Sequence, residues 1–153
     1  MLFLMHADNQ NRNIFMNQGL FESLVGRFYD TTPVETVPLA ERRIVSIKDN
    51  LTRIFNTREG LLPHLKGYGL PDISEIYRTM PHGVERLEEA MTATIEKHEP
   101  RLHKVKVLRH RDAEHSLTLA FSISGEVPGY GNVTFQTTFF TNGQSSIASW
   151  KKA

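Results

Sequence analysis

The chain contains no cysteine, so disulfides, thiolate nucleophiles and thiolate metal sites play no part in its chemistry. That composition is compatible with a reducing compartment. Neither charge dominates: 18 Lys and Arg meet 17 Asp and Glu, a formal net charge of +1. Such a balance creates no global field that would draw nucleic acid or a membrane surface. No apolar run approaches the ~20 residues needed to cross a bilayer. Met1-Leu2-Phe3-Leu4-Met5 is apolar but lacks a basic flank, and it is too short for a signal-peptide core. The expected location is the cytoplasm, with any membrane association made through partners. The sequence also lacks a Gly-x-Ser-x-Gly elbow, an HExxH pair and a phosphate loop ending in Gly-Lys-Ser/Thr, which removes the common signatures of hydrolases and nucleotide-binding enzymes.

What is present is ordinary for a globular protein: 153 residues, 39% hydrophobic and 23% charged, enough for one domain with a sizeable core. Residues 6–17 are polar, Asn-rich and without period, so residues 1–18 read as a flexible tail before a single domain over 19–153. Leu20, Phe21, Leu24, Val25 and Phe28 fall at helical spacing and predict a short amphipathic helix over 19–29. A connector over 30–42 follows, with Pro33 and Pro38, and a core over 43–153. Ile44, Ile47, Leu51, Ile54 and Phe55 form one helical stripe, with Ser46 and Asp49 read as a variant capping box. Gly60 reads as the stop of this helix, with Asn56 and Arg58 available to cap its carbonyls. Leu61 to Asp72 reads as loop, with Gly67 and Gly69 set for positive φ. A short helix is expected over 73–80, broken by Pro81-His82-Gly83. Val84, Leu87, Met91 and Ile95 then mark a long helix over 84–98 that ends at Glu99-Pro100.

The remainder reads as β. Leu117, Leu119, Phe121 and Ile123 alternate with small polar residues, as do Val133, Phe135 and Phe139, around a turn at Pro128–Asn132. Leu102–Arg111 is strand-like with a broken pattern that a bulge between Val107 and Leu108 would repair. The expected fold is α+β: N-terminal helices, then one long helix packed on a three- to four-stranded antiparallel sheet. From Ser116 to Trp150 the only charged residue is Glu126. Strands so poor in charge are either central in the sheet or an open edge that accepts a partner strand.

Glu99-Pro100-Arg101-Leu102 sets a carboxylate and a guanidinium at a rigid corner between helix and strand. Upstream stand Asn56-Thr57-Arg58-Glu59-Gly60 and Tyr68-Gly69-Leu70-Pro71-Asp72. In this order and spacing, across about Gly19 to Phe140, the chain resembles the TssE family of type VI secretion baseplates, itself similar to a wedge protein of contractile phage baseplates. Leu20-Phe21-Glu22-Ser23-Leu24 is a looser match to the start of that family. The resemblance implies a non-catalytic wedge component in a baseplate docked at the inner membrane, with no cofactor. It implies that Glu99, Pro100, Arg101 and Leu102 bind the large wedge subunits (TssF and TssG type). Contractile sheath subunits (TssB and TssC type) would be met by strand pairing, so that the chain helps to start sheath assembly. Nucleic acid and direct membrane contact are not expected. Asn56, Thr57, Arg58, Gly60, Tyr68, Gly69, Leu70, Pro71 and Asp72 are expected to shape the domain.

Three other chemistries compete for the same residues. His98, His103, His110 and His115 could suggest a metal, but their spacings fit no regular ligand pattern, and solvated positions are expected. Arg101, Lys104, Lys106, Arg109 and Arg111 form one cationic run without interleaved aromatics, which favours an acidic protein partner or a solvated edge over nucleic acid. The alternative function is a lysozyme-like glycoside hydrolase using Glu99 with Asp112. Against it, Arg101 stands two residues from Glu99 as a ready ion-pair partner. Trp150, beside Lys151 and Lys152, reads equally as core cover or as a contact.

Overall fold

The computed structural model describes residues 19–110, 117–148 and 150–152. The chain divides into two compact units, 1–50 and 51–153, and the boundary falls within one helix.

In the first unit, α1 spans Leu20–Val25 and stops at Gly26, whose φ of 70° lets its N–H reach back to Glu22 O at 2.8 Å. It is shorter than the expected 19–29, and its burial is reversed. Leu20, Phe21, Leu24 and Val25 are each more than 60% exposed, while Glu22 is buried; of the expected stripe only Phe28 lies inside. The connector is tightly folded rather than loose. Phe28 N–H donates to Thr32 O, Val34 N–H donates to Gly26 O, and a single 3-10 turn occupies Val34–Thr36. The Asp30 carboxylate accepts the Thr32 N–H at 3.0 Å, and that bond holds its pKa below the ordinary value.

The next helix, α2, runs over Leu39–Phe55, starting directly after Pro38, whose carbonyl accepts from Glu41 and Arg42. Proline suits this place because its missing N–H falls where the helix has no acceptor to offer. Ser46 and Asp49 therefore lie inside the helix and cap nothing, correcting the expected capping box. Both are buried, and Asp49 Oδ2 accepts the Tyr29 N–H at 2.6 Å. A buried carboxylate that satisfies a backbone donor is a tertiary tie, invisible to local spacing.

The second unit opens with the end of α2, where Leu51, Ile54 and Phe55 are buried. α3 covers Ile73–Arg78 and α4 covers His82–His98. Pro81 separates them; His82 and Gly83, expected to be part of the break, form the first turn of α4. Gly83 is required there because a Cβ would sit 2.4 Å from Ile76 O. Val84, Leu87, Met91 and Ile95 are all buried, as their spacing predicts.

The sheet is antiparallel and follows the order β1 (His103–Arg109), β2 (Thr118–Val127), β3 (Gly131–Phe140), β4 (Ser145–Ile147). A fifth strand, β5 (Lys151–Lys152), also pairs with β3. α4 packs against α3 and β1. The two short strands line the far side of β3, extending the three- to four-stranded sheet expected. Leu119, Phe121, Ile123, Val127, Val133, Phe135 and Phe139 point inward in register, joined by Phe55, whose ring lies 5.8 Å from that of Phe139. Leu117 departs from its pattern: it precedes β2 and is 81% exposed.

The irregularity in β1 falls between His103 and Lys106, at Lys104 with φ 52°, not between Val107 and Leu108. Val105 is thereby turned inward, and Leu108 is left on the outer face, 64% exposed. Phe139 and Phe140 test the two faces directly. Phe139→Ala removes a fully buried ring and is expected to cost about 3–5 kcal/mol. Phe140→Ala, on the outer face, is expected to cost less than about 1 kcal/mol. Urea unfolding of both variants checks the contrast.

Candidate functional site

The corner between α4 and β1 begins where proline removes a helical donor. Glu99 leaves the helix at φ −127°, ψ 76°, with its N–H still bonded to Ile95 O at 2.8 Å. Its carboxylate is completely buried. Oε1 accepts from the Arg101 backbone N–H at 3.1 Å and from Arg101 Nε at 2.9 Å, and Oε2 accepts from Nη2 at 2.9 Å. This is a two-pronged guanidinium–carboxylate pair, reinforced by a backbone amide. An acid at a helix C-terminus opposes the macrodipole; here the guanidinium supplies the compensating positive charge.

Leu102 closes the corner. It is buried, and its side chain lies where a Cβ on Gly125 would come within 2.7 Å. Glycine in the middle of β2 therefore has a packing reason. Pro100 is exposed and the Arg101 side chain is 24% exposed. Of the four residues singled out in sequence, then, two are enclosed and two present surface. The Glu99 oxygens are enclosed and engaged by Arg101, whereas a general acid must offer its proton to the glycosidic oxygen. Asp112, its suggested partner acid, lies outside the described residues, as do Arg111 and His115.

The upstream motifs converge on a separate brace. Asn56 Nδ2 donates to Thr52 O at 2.9 Å and Thr57 Oγ1 to Arg53 O at 2.7 Å, so Asn56 and Thr57 close α2. Gly60, with φ 88°, lies five residues beyond the helix in the following turn and is not its stop. Asn56 Oδ1 also accepts the Ser145 N–H at 2.9 Å, tying the helix end to β4. Leu70 N–H donates to Thr57 O at 2.9 Å, and Glu59 N–H donates to Leu70 O at 2.8 Å. Gly69, at φ 97°, permits this approach, since a Cβ there would meet Thr57 O at 2.4 Å. Pro71 then leads to Asp72. Arg58, expected to cap α2, instead pairs with Asp72 at 3.3 Å. The Asp72 carboxylate accepts Ser74 N–H at 2.9 Å as the N-cap of α3.

Tyr68 sets its ring edge-on to His98 at 5.1 Å, and burial pushes its phenol pKa up. Thr94 Oγ1 donates to Gly67 O at 3.0 Å, and the Lys97 ammonium donates to Lys66 O. The loop over 61–72 is thus fastened to the last turns of α4, immediately before the corner. Sequence reasoning did not single out Thr94 and Lys97, since both look like ordinary helix positions. The only local signal was a threonine on the apolar side of the helix.

The histidines stay apart. His98 meets the Tyr68 ring edge-on, His103 Nε2 lies 3.0 Å from Pro100 O, and His110 bonds Ser122. Among the described residues no group of three or more His, Asp or Glu side chains gathers where it could hold a metal ion. Trp150 Nε1 lies 3.4 Å from the Tyr130 hydroxyl, while Lys152 Nζ stands 5.0 Å from the Tyr130 ring centre. No helix among the described residues is long and apolar enough to cross a membrane.

The charge-poor strands resolve in favour of the central position. β2 is paired on both sides, and the far side of β3 is paired at 133–134 and 137–139. Among the described residues the long strand with an unpaired flank is β1, which carries Lys104, Lys106 and Arg109.

The brace yields a pH prediction. The Asp72 carboxyl is held below the ordinary value of 3.8, first by the Ser74 amide and then by the nearby Arg58 and Arg78 guanidinium groups. A folded-state pKa below the unfolded one stabilises above the unfolded value and is lost as pH falls through the folded one. Asp72→Ala is therefore expected to lower the urea midpoint at pH 7, with the deficit closing as pH falls below 3.8.

Comparisons with known proteins agree with the geometry. The model of the family described as baseplate wedge protein gp25 matches residues 41–147. A solved chain in "The baseplate complex from the type VI secretion system" is 28% identical, with a TM-score of 0.56, and the match covers 74% of this chain and 99% of that one. A search of curated protein sequences finds no match. A helix-to-strand corner held by a buried ion pair, on an α+β frame matched over most of its length, makes this chain a member of the gp25 family of baseplate wedge proteins.

Proposed function

We propose that the chain is a non-catalytic structural component of a type VI secretion baseplate wedge, joining the wedge core subunits to the first ring of the contractile sheath and helping sheath assembly to start. It would act in the cytoplasm, in a baseplate docked at the inner membrane. The observation that carries this reading is the Glu99–Arg101 pair, at a corner where the Glu99, Arg101 and Leu102 amides are each hydrogen-bonded. The four corner residues divide the task. Pro100 and Arg101 make the contact with the large wedge subunits of TssF and TssG type. Glu99 holds the guanidinium plane, and Leu102 holds the corner against β2. The Arg101 side chain reaches the surface at 24% exposure, and a planar guanidinium held in one orientation suits geometric recognition more than bulk affinity. Strand pairing with sheath subunits of TssB and TssC type falls to β1, the strand whose outer side has no strand partner among the described residues.

Arg101→Lys is the discriminating change, since it keeps a cation beside the buried Glu99 carboxylate but removes the fork. Expected: the variant remains folded by circular dichroism, while recovery with the large wedge subunits falls about tenfold, the size of a lost charge-assisted hydrogen-bond pair. Unchanged recovery would remove the corner from the wedge interface.

A further inference from the structure

Among the described residues β1 ends the sheet on its side. His110 N–H donates to Ala120 O at 2.9 Å, which fixes the alternation: even-numbered residues of β1 turn their backbone groups toward β2, and Val107 and Arg109 turn theirs outward. Side chains alternate as well. Lys106 faces out beside Ser124 and Leu108 beside Ser122, whereas Val105 faces in.

These two outward positions differ from their neighbours on β2 and β3, which are Ala120, Ser122, Ser124, Thr134, Gln136 and Thr138; farther along the same face lie Glu126 and Asn132 at one end and Phe140 beside Thr118 at the other. Leu108 is a large apolar side chain on this polar ground, 64% exposed. Lys106 lines a shallow cleft of about 310 Å³ with Ser124, Glu126 and Thr134. Glu126 is the single acid in that lining, and it is engaged: Lys104 Nζ stands 2.7 Å from its Oε2. That pair raises the lysine pKa and lowers that of the carboxyl. Among the described residues the Lys106 ammonium has no ion-pair partner.

An unpaired edge that carries lysine repels stray strands. The same charge becomes a filter for a strand that belongs there, because directly opposed side chains attract or repel across a strand pair. A carboxylate against Lys106 gains an attraction, a cation is rejected, and a polar residue against Leu108 leaves that side chain half-covered. The bulge at Lys104 limits the regular edge to the stretch after it, which contains both positions.

We propose that the β1 edge selects its partner strand by a two-position code, a carboxylate against Lys106 and an apolar side chain two residues away against Leu108. The occupant is an extended segment of a partner protein with the pattern acid-x-apolar, read in either direction. The inference rests on the reading that a sheath strand adds to β1, and the experiment separates the two.

The full chain is titrated with the purified sheath subunit pair as wild type, Lys106→Glu, Leu108→Ser and Arg109→Pro, the last judged against Arg109→Ala. Proline at 109 spares the ladder to β2, because that N–H points outward, but it blocks an incoming strand. Circular dichroism verifies folding of each variant. Expected: Arg109→Pro weakens binding at least about tenfold, Lys106→Glu and Leu108→Ser each weaken it about fivefold, and the Lys106→Glu deficit shrinks at high salt. If Arg109→Pro weakens binding and the two side-chain variants do not, edge pairing stands and the code is overturned. If only Lys106→Glu weakens it, the lysine is a simple anion contact, as for a nucleic acid or an acidic surface, and the code is again overturned. If none weakens it, sheath pairing at β1 falls as well.

Discussion

A carboxylate with no solvent exposure must be matched by donors or it destabilises the fold, and Glu99 is matched from only two residues away. The long helix can end at that point because Pro100 withdraws a donor, and the strand can begin because Arg101 turns back onto Glu99. Leu102 then enters the space that Gly125 leaves open. The direction of β1, and hence its pairing with β2, follows from this corner. The Arg101 guanidinium is fixed at that point by the buried carboxylate, and its side chain is 24% exposed.

The distribution of charge over the sheet follows from which strands are paired. β2 and β3 can be Ser, Thr and Gln on their outward side because neighbours occupy their flanks. Among the described residues β1 is the long strand with an open side, and it carries Lys104 and Lys106. This inverts the simplest reading of the composition, in which the uncharged strands are the open ones. It also places the cationic run at the edge rather than on a broad face, where a nucleic acid would need it.

Much of the second unit was legible in the sequence. Val84, Leu87, Met91 and Ile95 repeat at helical spacing and are all buried; Leu119, Phe121, Ile123, Val133 and Phe135 alternate and all point inward. Periodicity succeeds there because each element buries one uninterrupted face. At α1 the spacing marks the helix but not which side faces in: Leu20, Phe21, Leu24 and Val25 are exposed, and Glu22 is the residue inside. Local spacing failed at Ser46 and Asp49, where a capping signature proved to be a tertiary bond to Tyr29. The bulge lies at Lys104, ahead of the break in the pattern at Val107–Leu108, because a broken alternation shows that an extra residue exists but not which residue takes the strained φ.

What the sequence determined by itself was therefore the set of elements, their order, the corner at Glu99-Pro100-Arg101-Leu102 and, through its turn motifs, the family. Each of these is encoded in residues close together along the chain, where spacing, proline and glycine act directly on the backbone. Only the tertiary structure decided that Glu99 is enclosed while Arg101 reaches the surface, that Arg58 pairs with Asp72 instead of capping a helix, and that β1 is the open edge. Those outcomes depend on which distant segments come to lie beside one another, and neither burial nor strand order is a property of any single stretch of sequence.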